Sequence, residues 1–430
     1  MASNFPETWK LLPLEDCMDA IIDYRGKTPR KSSFGIPLIT AKIVKGGRIL
    51  EPTEFIPFED YDDRMQRGIP KAGDIVVTTE APLGEVGQLD GRKLSVGQRL
   101  ITLRGKANFL DNTYLKFLML SDFVQNQLRA RETGTTVVGI KQKELRKVSL
   151  VVPPLFEQRA IADLLGSLDD KIEHNRCMNG TLEALVRALF KSWFVDFDPV
   201  RAKMEGRAPA GMDAEIAALF PSAFDGDVPS GWKTGSILDI AQLFSGGTPS
   251  TAESSYWNGH IDWASAKDVG NAEGLFIIDT EKKVTQKGVD NSSTKLLPAK
   301  TTIVTARGTV GAHCMLGRAM TMNQTNYGLK AHPGYGDYFV FLTLSNLVEQ
   351  LKQQSYGTIF DTITTRTFQD TQCVQPPESI AQAFESLVTP LTESILTNQQ
   401  QSRTLSTLRD ALLPRLMSGD VRVEDVEIYE

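Results

Sequence analysis

Two stretches of this chain carry an apolar stripe with the spacing of a helix that packs along another helix, and each is a copy of the other. The first runs Ile161, Leu165, Leu168, Ile172, Asn175, Asn179, Leu182, Val186, Leu189 and Trp193. The second runs Phe384, Val388, Leu391, Ile395, Asn398, Ser402, Leu405, Arg409, Leu412 and Leu416, each 223 residues after its counterpart. Steps of four and three average 3.5 residues, the repeat that keeps one stripe facing a partner. A single seam would describe an ordinary amphipathic core helix, whereas two matched seams point to mutual pairing. At about 1.5 Å per residue each helix is expected to be about 50 Å long, more than the usual three or four turns. Asn175 and Asn398 hold equivalent places, where a polar residue fixes register at some cost in stability.

The repeat extends beyond the helices, and a period this long means duplicated domains. Trp9-Lys10 answers Trp232-Lys233, Gly26-Lys27-Thr28-Pro29 answers Gly246-Gly247-Thr248-Pro249, and Ala41-Lys42 answers Ala266-Lys267. Gly84-Glu85-Val86-Gly87 matches Gly308-Thr309-Val310-Gly311, Gln98 matches Gln324, and Tyr114-Leu115-Lys116-Phe117-Leu118 matches Tyr338-Phe339-Val340-Phe341-Leu342. Gly134-Thr135 with Gly357-Thr358 and Pro153-Pro154 with Pro376-Pro377 complete the series. Short apolar runs such as Asp74 to Thr78 and Thr302 to Thr305, bounded by turn residues, read as strands. Tyr114 to Leu128 and Tyr338 to Leu351 read as helical.

The boundaries expected are a first domain at 1–155, a long helix at 156–198, a linker at 199–228 with a helical island at 214–220, a second domain at 229–377, a second long helix at 378–417 and an acidic, frayed tail at 418–430. Gly166-Ser167 and Thr389-Pro390 align as flaws in the two helices. With Ser167 and Thr389 as N-caps and Pro390 near a helix start, each helix is expected to break there.

With 430 residues, 41% of them hydrophobic, the chain can bury several cores. No run approaches the 18 or so apolar residues of a membrane span. The start lacks a basic and then hydrophobic signal region, so a cytoplasmic protein is expected. Cys17, Cys177, Cys314 and Cys373 are scattered without a Cys-x-x-Cys pair, which argues against a disulfide framework or structural zinc and for buried thiols. The net charge of −6 is uneven: residues 1–155 carry +4, 156–228 carry −5, 229–377 are neutral and 378–430 carry −5. The acidity belongs to the helices and tail, and the first domain's mild basic excess is a weak pointer to phosphate.

Val152-Pro153-Pro154-Leu155-Phe156-Glu157-Gln158-Arg159-Ala160-Ile161-Ala162, followed by Leu168-Asp169-Asp170-Lys171-Ile172, resembles the junction of the specificity (S) subunits of type I restriction-modification systems. Ser245-Gly246-Gly247-Thr248-Pro249-Ser250, then Tyr256-Trp257 and Trp263, is similar to the start of a recognition domain in that family. The second junction keeps Pro376-Pro377 but lacks the Glu-Gln-x-x-Ile pattern. The resemblance covers nearly the whole chain. It implies an α+β fold in which two repeated globular target-recognition domains are held apart by an antiparallel pair of long coiled-coil helices. It also implies a non-catalytic subunit that recognises a bipartite, asymmetric double-stranded DNA site. Two methyltransferase (modification) subunits and two restriction subunits would assemble on it; S-adenosylmethionine, ATP and Mg2+ are expected on those partners, with no cofactor on this chain.

Base edges are read by Arg or Lys on guanine and Asn or Gln on adenine, while phosphates take Lys, Arg, Ser, Thr and backbone amides. Loop residues of those types at equivalent places are Lys27, Thr28, Arg30, Lys31, Lys42, Arg99, Thr135, Lys141 and Gln142 in the first domain. In the second they are Thr248, Ser250, Lys267, Arg307, Gln324, Asn326, Tyr356 and Thr358. The Gly-x-Thr-Pro loops are equally explained as turn chemistry. There is no Walker loop, no Asn-Pro-Pro-aromatic and no Gly-x-Gly cofactor loop. Asp268 with Glu281 and Lys283 mimics a metal-dependent nuclease pattern, which would make the chain a nuclease acting alone. A third reading is a structural adaptor that binds protein rather than DNA. His174, His260, His313 and His332 lack metal-ligand spacing, so no metal site is expected.

Overall fold

Proline offers no N–H to a sheet ladder and is tolerated at a helix start, so each Pro-Pro pair should end a strand and open a helix. The computed structural model describes residues 5–134, 138–354 and 362–423. In it strand Ser149–Val152 leads into helix Leu155–Phe194, and strand Gln372–Gln375 into helix Glu378–Ser418. The two helices run 40 and 41 residues without interruption, so the expected breaks are absent. Ser167, read as an N-cap, instead bonds back to the Leu164 carbonyl, and Thr389 to that of Glu385, as mid-helix hydroxyls do. Pro390 is held in the helix interior, where it costs about 3 kcal/mol or more. Val388 and Thr392 on either side of it are fully buried, so packing supplies what the backbone loses.

The chain divides into two compact units, Met1–Ile172 with Thr404–Glu430, and Glu173–Arg403, each containing part of both long helices. In the first unit an antiparallel sheet has the order Met18–Asp23, Leu100–Gly105, Ile75–Thr79, Leu83–Gln88. Alternate residues of its strands go to two different cores. Ile75, Val77, Ile101 and Leu103 join helices Asn112–Leu120 and Asp122–Ala130, while Val76 and Leu100 join Tyr24, Leu38 and Val96. The stretch expected as one helix from Tyr114 is thus two, parted at Ser121. In the second unit the equivalent order is Ala241–Ser245, Asn326–Ala331, Thr302–Thr305, His313–Leu316, with Phe276–Ile277 added in parallel, and helix Asp337–Gln354 is unbroken.

Helix pairing is seen inside each unit. In the first, Ile161 and Leu165 share a core with Leu416 and Met417, and Asp169 meets Arg409 at 2.7 Å. In the second, Asn175 donates to Gln401 Oε1 at 2.8 Å and Ser402 Oγ at 3.2 Å, and Asn398 donates to Asn179 Oδ1 at 2.9 Å. Phe190, Trp193 and Phe194 surround Phe384. Numbers rise on one helix as they fall on the other, so the pair is antiparallel. Asn175 and Asn398 do not pair side chain to side chain: Asn175 reaches the Asn398 backbone carbonyl at 3.4 Å, and each amide meets polar side chains about one turn along the partner helix. The remaining seam positions Leu168, Ile172, Leu182, Leu189, Leu391, Ile395, Leu405 and Leu412 are buried or half-buried.

The Glu-Gln of the first junction ties the fold together. Gln158, fully buried, accepts from the Asp111 N–H at 2.9 Å and donates to the carbonyls of Phe109 and Pro153. Glu157 accepts from the Trp9 indole at 2.9 Å and pairs with Arg422 at 2.8 Å. The second copy has fully buried Ile380 and Ala381 there, and the Trp232 indole N–H, counterpart of Trp9, is buried with no hydrogen-bond partner among the described residues.

Its substitute is Glu385, which accepts from the N–H groups of Tyr338 and Phe339 at the start of helix Asp337–Gln354. Burial raises the Glu385 carboxyl from 4.5 to about 6, against the lowering effect of those two bonds. A carboxyl raised on folding takes up protons, so this group favours folding most below pH 4.5 and progressively less as pH climbs through about 6. Glu385→Gln keeps an acceptor without the charge. It is expected to raise stability at pH 7.5 by about 1–2 kcal/mol and to flatten the pH dependence between pH 4.5 and 6; thermal melting across that window checks it.

Three cysteines are buried as expected, whereas Cys177 is exposed on its helix. The linker is more structured than its Gly and Pro content suggests: besides the expected island, helix Ala214–Leu219, it holds helix Asp198–Met204 and a short hairpin, Phe224–Asp225 with Val228–Pro229. Phe197, Val200 and Phe220 anchor it in the second unit's core. In the tail, Val421 and Val423 pack on the first unit's core, and 424–430 lie outside the described residues.

Candidate nucleic-acid interface

Antiparallel register decides which loops meet. In the first unit Asp23 faces Ile101, Thr78 faces Leu100 and Thr79 faces Leu83. The loops after Asp23, after Thr79 and before Leu100 therefore share one edge of the sheet, and Arg25 NH1 on the Ile140 carbonyl, with Ile140 N–H on the Thr79 carbonyl, brings 138–142 to the same edge. The second unit repeats this: Ser245 faces Tyr327, Thr305 faces Asn326 and Val304 faces His313, and Ile363 N–H reaches the Ala306 carbonyl.

Lys27, Thr28, Arg30, Lys31, Arg99, Lys141 and Gln142 fall in those loops, and most of the first domain's candidate cations are already paired. Lys27 meets the Asp63 carbonyl at 2.9 Å, Arg30 meets Asp60 at 2.9 Å and Glu59 at 2.7 Å, Lys31 meets Glu54 at 2.7 Å, and Arg99 meets Glu80 at 3.0 Å. The hydrogen bonds it donates, to Asp60 and then to Glu59, hold the Arg30 guanidinium above its ordinary value. Exposed pairs of this kind contribute little, because solvent screens them, so a phosphate can take the cation over. Lys42 and Lys141 are exposed and have no ion pair among the described residues, and Gln142 opens the short helix Gln142–Leu145.

In the second domain Lys267 pairs with Glu281 at 2.8 Å, which raises its ammonium, while Arg307 is exposed without an ion pair among the described residues. Ser250 is exposed, and its carbonyl accepts from the Trp257 indole. Asn326 is buried, its amide donating to the Ala264 carbonyl at 3.0 Å, so it holds two strands together rather than facing a groove. Thr135, Tyr356 and Thr358 lie outside the described residues.

The Gly-x-Thr-Pro loops need glycine for two different reasons. Gly26 has φ +80 with open space around it, whereas a Cβ on Gly246 would lie 1.8 Å from the Asn323 carbonyl oxygen. Both loops place a threonine against a glutamine: Thr28 donates to Gln98 Oε1 at 3.0 Å, and Thr248 donates to Gln324 Oε1. Gln98 was absent from the sequence-derived candidates although its match to Gln324 marked it. The acidic partners Glu54, Glu59, Asp60, Asp63 and Glu80 were also missed, because only the fold brings them to the cations.

The nuclease pattern finds no support. Asp268 completes a capping box with Ser265 and accepts from the Glu281 N–H, Glu281 pairs with Lys267, and Lys283 pairs with Asp262 and Asp279. Among the described residues no group of three or more His, Cys, Asp or Glu could hold a metal ion. No described helix is long and apolar enough to cross a membrane.

The family model for the type I restriction modification DNA specificity domain matches residues 6–183 and again 229–406. The chain belongs to that family. This type I specificity chain is 28% identical over 373 residues to the HindI specificity subunit of Haemophilus influenzae, an overlap of 76% of this chain and 81% of that one. It is 27% identical over 442 residues to the MjaIX specificity subunit of Methanocaldococcus jannaschii, covering 98% and 96% of the two. In fold it is similar to the type I S subunit from M. genitalium, with a TM-score of 0.60 over 97% of both chains at 13% identity. Both copies of the repeat are thus specificity domains, and DNA sequence recognition in a type I restriction-modification system is their work.

Proposed function

We propose that each domain reads one short half of a bipartite, asymmetric duplex site with its strand-edge loops. Each long helix, 40 residues or slightly more at about 1.5 Å each, is about 60 Å long, against about 34–36 Å between successive turns of B-DNA. The observation that carries this reading is the repetition of one loop edge in two domains with different side chains upon it, Lys27, Arg30 and Lys31 in one against Ser250 and Arg307 in the other. Different side chains on a common frame read different bases. On the same chain two modification and two restriction subunits would assemble around the helices, bringing S-adenosylmethionine, ATP and Mg2+, and the complex would work in the cytoplasm.

Methylome sequencing of cells carrying this chain with its modification subunit tests the reading. Two half-sites at fixed spacing are expected, and exchanging residues 229–377 for the corresponding domain of another such subunit should change one half only. Change in both halves would refute modular reading. Binding to duplex DNA should also weaken steeply with salt, because phosphate contacts release counterions; an adaptor that binds only protein would show no such slope.

A further inference from the structure

The two threonine–glutamine pairs are the part of the loop edge that both domains retain. Their surroundings are also tied in the same way: Thr79 N–H bonds to the Arg99 carbonyl at 2.9 Å, and Ala306 N–H to the Thr325 carbonyl at 2.8 Å, in each case the residue after the glutamine. The neighbours have diverged. Lys27 and Arg30 with their carboxylates stand beside Thr28, while Gly247 and Ser250 stand beside Thr248; Arg99 follows one glutamine and Thr325 the other. A device shared by two domains that read different bases serves what the two half-sites have in common. Phosphodiester oxygens are the same along any duplex, whereas base edges are not.

The pair is also built to present a donor. The threonine hydroxyl occupies Oε1, which fixes that end of the amide and leaves the –NH2 end with no acceptor among the described residues. Gln98 is half-buried and Gln324 is exposed, so both can be reached from solvent. We infer that Gln98 and Gln324 are matched anchors, each donating an amide N–H to a phosphate oxygen at the corresponding place of its half-site, with Thr28 and Thr248 as the positioning residues. This rests on the reading that both domains bind duplex DNA.

The test uses the full chain with its modification subunits, a duplex carrying the methylated site, and duplexes altered at single base pairs. Gln98→Ala and Gln324→Ala are each expected to weaken binding about three- to tenfold, the range for loss of one hydrogen bond. The loss should be the same for the cognate and the altered duplexes. The slope of affinity against salt should not change, because a neutral amide releases no counterion. Thr28→Val and Thr248→Val should give part of the same loss, and Thr→Ser at either position should restore binding, which a mere volume effect would not. Relaxed discrimination at one base pair would overturn the inference in favour of base reading. Unchanged affinity with a lowered melting temperature would reduce the pairs to loop ties and overturn it as well. If the unsubstituted complex bound no duplex at all, the parent reading would fail and this one with it.

Discussion

Truncating Phe384 to alanine is expected to destabilise the protein by about 3–5 kcal/mol, the range for deleting a buried aromatic ring. The ring is fully buried, with centroid distances of 6.0 Å to Phe190, 5.6 Å to Trp193 and 5.1 Å to Phe194. Phe194 and Trp193 pass the contact on: Phe194 lies 4.9 Å from Phe339 in helix Asp337–Gln354, and Trp193 lies 5.1 Å from Phe220 in the linker. One ring thus joins both long helices, and through them the second domain and its linker. Phe384→Leu, which refills much of the volume, should cost about 1–1.5 kcal/mol. Urea unfolding followed by tryptophan fluorescence checks both, since Trp193 and Trp232 report from the same cluster. A loss under about 1 kcal/mol for the alanine variant would show that the helix pair does not depend on this cluster.

The second large effect is electrostatic. Asp169 holds Lys116 through Oδ2 and Arg409 through Oδ1, both at 2.7 Å, with side chains only 15%, 9% and 23% exposed respectively. Asp169→Ala leaves Lys116 without its carboxylate in a poorly solvated position and Arg409 with only the exposed Asp410, at 2.8 Å, and should cost about 3 kcal/mol, as removing one member of a buried ion network does. The other copy of the repeat shows what the site looks like without charge. Val340, Thr392 and Val186 stand where Lys116, Asp169 and Arg409 do, all buried, and the Thr392 hydroxyl bonds to its own helix at the Val388 carbonyl. Replacing all three at once, Lys116→Val, Asp169→Thr and Arg409→Val, should therefore come within about 1 kcal/mol of the parent or exceed it, because the desolvation of three charges disappears together with their attraction. Thermal or urea unfolding of the single and triple variants distinguishes the cases. A triple variant as damaged as the single one would mean that the network supplies net stability.

The duplication, the two seams and the Pro-Pro junctions were legible because they rest on local rules: the period of a helix, the missing N–H of proline, and residue-for-residue likeness at a fixed interval. The helix breaks were misread for the same reason. Gly166-Ser167 and Thr389-Pro390 are weak points by propensity, but a 40-residue helix packed along its seam follows tertiary burial rather than local preference. Asn326 was misread because an amide next to a turn looks the same in sequence whether it faces water or the carbonyl of Ala264.

From the sequence alone came the duplication, the pairing of the two long helices and the family, since periodicity and motif spacing are carried by the order of residues. Only the tertiary structure decided which residues stand at the loop edge and what each is bonded to. The acidic residues that hold Lys27, Arg30 and Arg99, the first through its backbone carbonyl, come from 36, 30 and 19 positions away, and the threonine that orients each glutamine from 70 and 76. Contacts across such distances depend on sheet register and chain crossing, which no local rule specifies.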